Sequence, residues 1–265
     1  MNRRDFLRSA GATAVAVGVA GCSTSESGNV NVEDGRYPYP SIPERALDGW
    51  ELTDRRAEHS RRRFAGTGLD QHTRTELYEF ARLSEEVAEK TLGQFEGDLG
   101  VFFASRITFE GYASYLADAG RVADGGLGEM TAEMEAMGIT DVTEVEPTDP
   151  RPTAADGQAL REVVGAYPVE DLSLEAELPG DARRTFEVEG GEVPVRGFLT
   201  AWKTGRRTAY VAGGAYPDGD FVRESPVSVT GDGRGDGIDV TVSVALGLDP
   251  EAYREELVGL VERVE

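Results

Sequence analysis

Cys22 is the single cysteine among 265 residues, so no intramolecular disulfide can form and the fold must be held by its hydrophobic core alone. That core has to form against self-repulsion, because 49 Asp and Glu oppose 27 Lys and Arg, a formal net charge of −22. The imbalance deepens once Met1–Gly21 is set aside, since that stretch holds Arg3, Arg4 and Arg8 against Asp5 alone. The roughly 220 residues beyond residue 43 are enough for one sizeable core or two small ones.

The surroundings of Cys22 predict where the chain works. Arg3 and Arg4, followed by Asp5, Phe6 and Leu7 and a weakly apolar run over Ala10–Ala20, form the pattern of a twin-arginine export signal. The run is about half of the ~20 residues a spanning helix needs, so a stable transmembrane helix is not expected. Val19-Ala20-Gly21 before Cys22 resembles the lipobox of prokaryotic lipoproteins, in which the cysteine is lipidated and becomes the new N-terminus. An acyl or alkyl anchor contributes about 0.8 kcal/mol per buried methylene. The expected organisation is a signal peptide over 1–21, a flexible Ser-, Gly- and Pro-rich tether over 22–43, and a domain over 44–265. The expected location is the extracytoplasmic face of the cell membrane. A flexible tether of that length has an end-to-end distance of roughly 25 Å and keeps the domain near the lipid.

Lys90 and Lys203 are the only lysines, every other cation being arginine. Few lysines, many acids and abundant Gly and Ala have the composition of a halophilic protein. At molar salt the Debye length is about 3 Å and the self-repulsion largely disappears. Folding in brine before export accounts for a twin-arginine signal, so no cofactor is inferred from it. The same acidity excludes a nucleic-acid partner, which needs a basic footprint that Arg61-Arg62-Arg63 is too short to supply.

Along the domain, Trp50, Leu52 and Phe64 predict an opening hairpin, followed by a polar strand through Leu69–Phe80. Ser84 is placed to cap a helix that Gly93 stops. Val101, Phe103, Ile107 and Phe109 alternate with Phe102, Ala104, Arg106 and Thr108 as a strand. Tyr112, Tyr115, Leu116 and Ala119, then Met130, Met134 and Met137, predict two short helices separated by Gly120, Gly125, Gly126 and Gly128. The Met stripe reads as core filling. Pro147, Pro150 and Pro152 mark a possible sub-boundary near 147–157. Beyond it, Leu160–Tyr167 fits helix or strand. Leu172–Leu178, Thr185–Val188, Val193–Trp202 and Thr208–Ala212 read as strands, and Val227–Thr230 pairs with Ile238–Leu246. Asp249 caps a final helix, with Pro250 in its first turn and Tyr253, Leu257, Leu260, Val261 and Val264 on one face. The fold expected is α+β: a mostly antiparallel sheet with a few short helices and the C-terminal helix packed on it.

Chemistry is hard to locate. Asp232, Asp236 and Asp239 are the nearest approach to a metal set, but Arg234 and Ser243 occupy positions where a calcium loop needs ligands, so a hairpin turn is the better reading. Gly213–Asp220 reads as a second Asp-bearing turn. His59 and His72 are the only histidines and have no metal-ligand spacing. His72 with Glu76 is a candidate general-base pair, although an exposed polar strand face explains both. No nucleophile elbow, phosphate loop or dinucleotide fingerprint is present. Carboxylate pairs carry no information in so acidic a chain.

The Arg3-Arg4-Asp5-Phe6-Leu7 and Val19-Ala20-Gly21-Cys22 motifs, with the lysine-poor acidic body, resemble the uncharacterised twin-arginine lipoproteins of halophilic archaea. Gly49-Trp50-Glu51-Leu52, Thr91-Leu92-Gly93-Gln94-Phe95, Val211–Pro217 and Leu248–Tyr253 extend that resemblance over the domain. It implies no activity and no catalytic residue. The expected function is a non-enzymatic, membrane-anchored module, without a cofactor, that binds a small ligand or an envelope protein. The alternatives are a secreted hydrolase using carboxylates or His72, and a structural subunit of an envelope complex.

Overall fold

Val101–Glu110 has an apolar set at period two that must be covered, and it lies inside one antiparallel sheet whose strands toward one edge are polar. The structure, a computed structural model, describes residues 25–29, 36–64, 67–95, 97–111, 117–178, 182–229 and 238–265. In chain order the strands are β1 (Ser25–Asn29), β2 (Glu51–Phe64), β3 (Thr67–Glu79), β4 (Val101–Glu110), β5 (Thr140–Val145) and β6 (Ala159–Val169). They continue as β7 (Leu172–Leu178), β8 (Ala182–Val188), β9 (Gly191–Lys203), β10 (Thr208–Pro217), β11 (Val222–Val229) and β12 (Ile238–Ala245). The helices are α1 (Ala81–Lys90), α2 (Ala119–Ala136) and α3 (Pro250–Val261). The main sheet runs β1-β2-β3-β4-β10-β9-β6-β5, and β7–β8 and β11–β12 form separate hairpins. The mostly antiparallel α+β fold is thus as expected, with the C-terminal helix on the sheet. The main sheet includes strands from both sides of the proline-rich 147–157 stretch.

Both faces of the central strands are covered, which explains why β9 and β10 read as nearly continuous apolar runs. On one face, Val122, Ala123, Met130 and Met134 of α2 pack on Ile107, Leu199, Ala201 and Val211. On the other, Leu257, Leu260 and Val261 of α3 pack on Phe102, Phe198 and Ala212. A third cluster, including Leu83, Val87, Phe95, Val188, Phe221 and Leu246, joins α1 to the hairpin region. The α3 start follows its sequence signal, with Asp249 Oδ1 accepting from the Ala252 N–H at 3.1 Å.

Four expectations change. Of the two short helices expected around the Gly cluster, Tyr112, Tyr115 and Leu116 of the first lie outside the described residues. Gly120, Gly125, Gly126 and Gly128, expected to interrupt, lie with Met130 and Met134 inside one 18-residue helix, α2, capped by the Asp118 side chain. Gly126 lets the helix lie close on the sheet, since a Cβ there would stand 3.2 Å from Val211 Cγ1. Helix α1 starts at Ala81 without a side-chain cap, and Ser84 lies in its first turn, donating its backbone N–H to Phe80 O at 3.1 Å. Gly213–Pro217 is not a turn but the end of β10. A Cβ on Gly214 would meet Val101 O at 2.0 Å, so the glycine permits close strand approach there. Finally, the stretch expected as tether is partly seated. Ser25–Asn29 pairs with β2, Tyr37 and Pro40 are buried, and Ser41 exchanges backbone hydrogen bonds with Glu265 at 2.6 and 2.9 Å. Aromatic side chains at 37 and 39 supply the burial that composition alone did not suggest.

Candidate functional site

A cavity of about 330 Å³ lies between α2 and the β2–β3–β4–β10 part of the sheet. Its position follows from two periodicities. On α2, Gly126, Glu129, Met130, Glu133, Met134 and Met137 recur at three- and four-residue spacing and line one helical face. On the sheet, Arg56 and Glu58 of β2, Thr73, Thr75 and Leu77 of β3, and Val101, Phe103 and Ser105 of β4 alternate onto the same side. A register irregularity between Leu52 and Asp54 puts Asp54, Arg56 and Glu58 opposite Leu77, Thr75 and Thr73. Apolar walls come from Leu77, Val101, Phe103 and the three methionines, while hydroxyl groups mark the floor. Thr75 Oγ1 and Ser105 Oγ share a hydrogen bond at 2.8 Å, and Thr73 Oγ1 accepts from Gln71 at 3.2 Å.

The polar wall is unevenly satisfied. Arg56 donates to Asp54 at 2.9 Å and pairs with Glu133. Glu129 has no such arrangement: its Oε1 is shut off from solvent and has no hydrogen-bond partner among the described residues. Burial, and then the neighbouring Glu58 and Glu133 carboxylates, push its carboxyl up to about 9, with Arg56 only partly opposing them. Glu58 is raised as well, first by burial, with Arg56 working against it and Glu133 with it. Near neutrality, therefore, Glu129 is a protonated acid facing an apolar chamber.

A second buried charge cluster lies on the opposite face of the sheet. Glu162 of β6 is fully buried and accepts from Arg196 at 2.8 Å, from Arg254 at 3.2 Å, and from the Thr148 N–H and hydroxyl, both at 2.9 Å. Burial alone would raise its carboxyl, but these hydrogen bonds together hold it below the ordinary range. Arg254 also donates to Tyr216 at 2.8 Å and to Thr148 O at 2.6 Å. Every partner is matched, so the cluster fastens α3 and the 147–157 loop to the sheet.

The residues singled out from sequence fall elsewhere. His72 stacks on Tyr37 with ring centroids 3.8 Å apart and on His59 at 4.5 Å, while His59 contacts Asp70 at 3.2 Å. Burial and the adjacent His59 lower its affinity for a proton. Glu76 is engaged by Arg55 at 2.8 Å and Tyr78 at 2.7 Å, not by His72, and neither His72 nor Glu76 lines the cavity. Asp218 accepts from Arg196 at 2.7 Å. Asp220 caps the Phe221 and Leu248 N–H groups at 2.9 and 3.1 Å. Asp232 and Asp236, and the side chain of Asp239, lie outside the described residues, as do Arg3, Arg4, Phe6, Leu7, Val19, Ala20, Gly21 and Cys22. No group of three or more potential metal ligands occurs among the described residues. No helix among them is long and apolar enough to cross a membrane. Of the cavity residues Arg56, Glu58, Glu129 and Glu133, only the two on α2 had a usable signal, acids set in the same frame as the Met stripe.

The chain belongs to the family described as a domain of unknown function (DUF6517), whose model matches residues 39–265. No curated protein and no solved structure matches it.

Proposed function

We propose that this protein is a lipid-anchored, extracytoplasmic binding module, held at the membrane through Cys22, that takes a small amphipathic molecule between α2 and the sheet. The observation that carries the reading is the cavity itself, at the lower end of the ~300–1,000 Å³ usual for small-molecule sites, with apolar walls and a few convergent polar groups. The anchor rests on the lipobox-like Val19-Ala20-Gly21-Cys22 and the twin-arginine pattern before it. The seated 36–43 segment keeps the domain close to that anchor.

Two measurements test the two halves. Apart from Met1, the only methionines are Met130, Met134 and Met137, and all three line the cavity. In the full chain carrying methyl-labelled methionine, 1-hexanol is expected to shift these methyl resonances, and Thr75→Phe, which fills the floor, is expected to abolish the shifts. Unperturbed methyls, or shifts unaffected by Thr75→Phe, overturn the binding role. In parallel, Cys22→Ser should move the protein from the membrane to the soluble fraction, and retention in the membrane overturns the anchor.

A further inference from the structure

The cavity wall has a charge that its apolar volume does not explain. Five carboxylates line it, Glu58, Glu79, Asp98, Glu129 and Glu133, against one guanidinium, Arg56, which is already engaged by Asp54 and Glu133. A bound anion would meet that excess without a free cationic partner in the lining. A bare metal ion would need three or more of these carboxylates gathered around it, and no such group occurs among the described residues. A neutral ligand would leave the Glu129 carboxyl protonated, since it brings nothing to offset Glu58 and Glu133. A positively charged head with an apolar body meets both demands. It sets its charge beside Glu129 and Glu58, and its hydrocarbon against the methionines and Phe103, whose ring face also attracts a cation.

Resting on the binding role proposed above, we infer that the cavity is a site for an organic ammonium ion with a short apolar body, with Glu129 as its counter-ion. Glu129 supplies the carboxylate whose Oε1 otherwise lacks a partner. Binding then requires the Glu129 carboxyl to lose its proton to solvent; no covalent bond within the ligand changes. The groups acting on that carboxyl are Glu58 and Arg56 from β2 and Glu133 from α2 itself; Asp54 pairs with Arg56, and Glu79 and Asp98 also line the cavity. Because this acid titrates at about 9, the ligand competes with a proton through the neutral range. Affinity should therefore rise with pH, by at most about tenfold per unit, and level off above about 9.

The probes are hexyltrimethylammonium, which cannot titrate, 1-hexanol and hexanoate, added to the full chain at constant salt. Binding is followed at the Met130, Met134 and Met137 methyls and by calorimetry in two buffers of different ionisation enthalpy. The expected result is tightest binding of the ammonium ion, with affinity increasing from pH 6 to 8 and up to one proton released per ligand. Glu129→Gln, which keeps the shape of the acid, should weaken the ammonium at least tenfold at pH 8, remove the pH dependence and leave 1-hexanol unchanged. If 1-hexanol or hexanoate binds as tightly as the ammonium, or Glu129→Gln leaves ammonium binding intact, the ligand class is wrong while the cavity role stands. If none of the three shifts the methyls, or the shifts persist in Thr75→Phe, the cavity role falls along with it.

Discussion

Glu162 and Glu129 both leave the surface, one on each face of the same sheet, and their surroundings treat them in opposite ways. Glu162 is fully buried but accepts from two arginines and from Thr148, so its charge is favoured despite the loss of water. Glu129 is less deeply placed, yet its Oε1 has no partner among the described residues, and its neighbours are carboxylates. Burial raises both carboxyls, and the donors set against it, present at Glu162 and missing at Glu129, decide the protonation state. The satisfied cluster joins three parts of the fold, β6, α3 and the 147–157 loop. The unsatisfied one lines the cavity. In physical terms the first stabilises the fold, and the second is the group that the ammonium ion proposed above would pair.

The comparison is broken most directly at Glu162. Glu162→Ala would strand the Arg196 and Arg254 guanidiniums in a region where Arg254 is only 6% exposed. Removing one partner from a buried ion cluster costs about 3–5 kcal/mol. The expected outcome in denaturant unfolding is a loss of that size at pH 7 with an unchanged slope. The sign with pH follows from the lowered carboxyl. Its stabilisation is present above the ordinary carboxylate range and is lost as pH falls through the folded-state value, so wild type and variant should converge in acid. A loss below about 1 kcal/mol at pH 7 would mean that the network contributes little and that the contrast with Glu129 is only geometric.

At Glu129 the opposite sign is expected. Its raised carboxyl makes the native chain hold a proton that the unfolded chain has released, between the ordinary carboxylate range and about 9. Stability from this group is full below that window and falls as pH rises through it. Glu129→Gln removes the penalty, which the shift bounds at about 5 kcal/mol at pH 8, and should stabilise the protein there by a substantial part of it. That corresponds to a rise in Tm of several degrees, vanishing near pH 4. A variant destabilised at every pH would show that the acid serves the fold and would remove the distinction between the two glutamates.

The sequence made one side of this comparison easier to see than the other, and neither completely. Elements whose information is local were legible: the alternation of Val101–Phe109, the Asp249-Pro250 start of α3, and the pairing of β11 with β12. The glycines of α2 weigh against a helix locally, so the sequence predicts an interruption where the helix in fact continues. Their benefit is visible only once Gly126 is set against Val211 and Leu199 across the packing interface. The cavity needs β2, β3, β4 and β10 brought side by side, a set of pairings that no single segment encodes. Its acids were hidden by number, since 49 carboxylates give every window a plausible pair. Glu162 was obscured differently, by a stretch whose periodicity fits helix or strand until the sheet settles it as β6. His72, conspicuous because histidine is rare here, turned out to be a stacked side chain between Tyr37 and His59.

The smallest effects separate the causes behind Glu129. Burial is the largest of them, Glu58 the next and Glu133 the third, while Glu133 is also the partner of Arg56. Glu58→Gln should therefore bring the Glu129 titration down by more than Glu133→Gln does. Glu133→Gln removes a repelling charge, but it also loosens the hold on the one guanidinium in the cavity lining. Side-chain carboxyl NMR titrations of the two variants measure this directly, and in both Glu129 should still titrate well above an ordinary carboxylate because burial persists. If Glu58→Gln alone returned it to the ordinary range, repulsion and not burial would be holding the proton in place. A ligand cation would then have to compete with one neighbour's charge only, and Glu58, not Glu129, would be the residue whose removal most weakens ammonium binding.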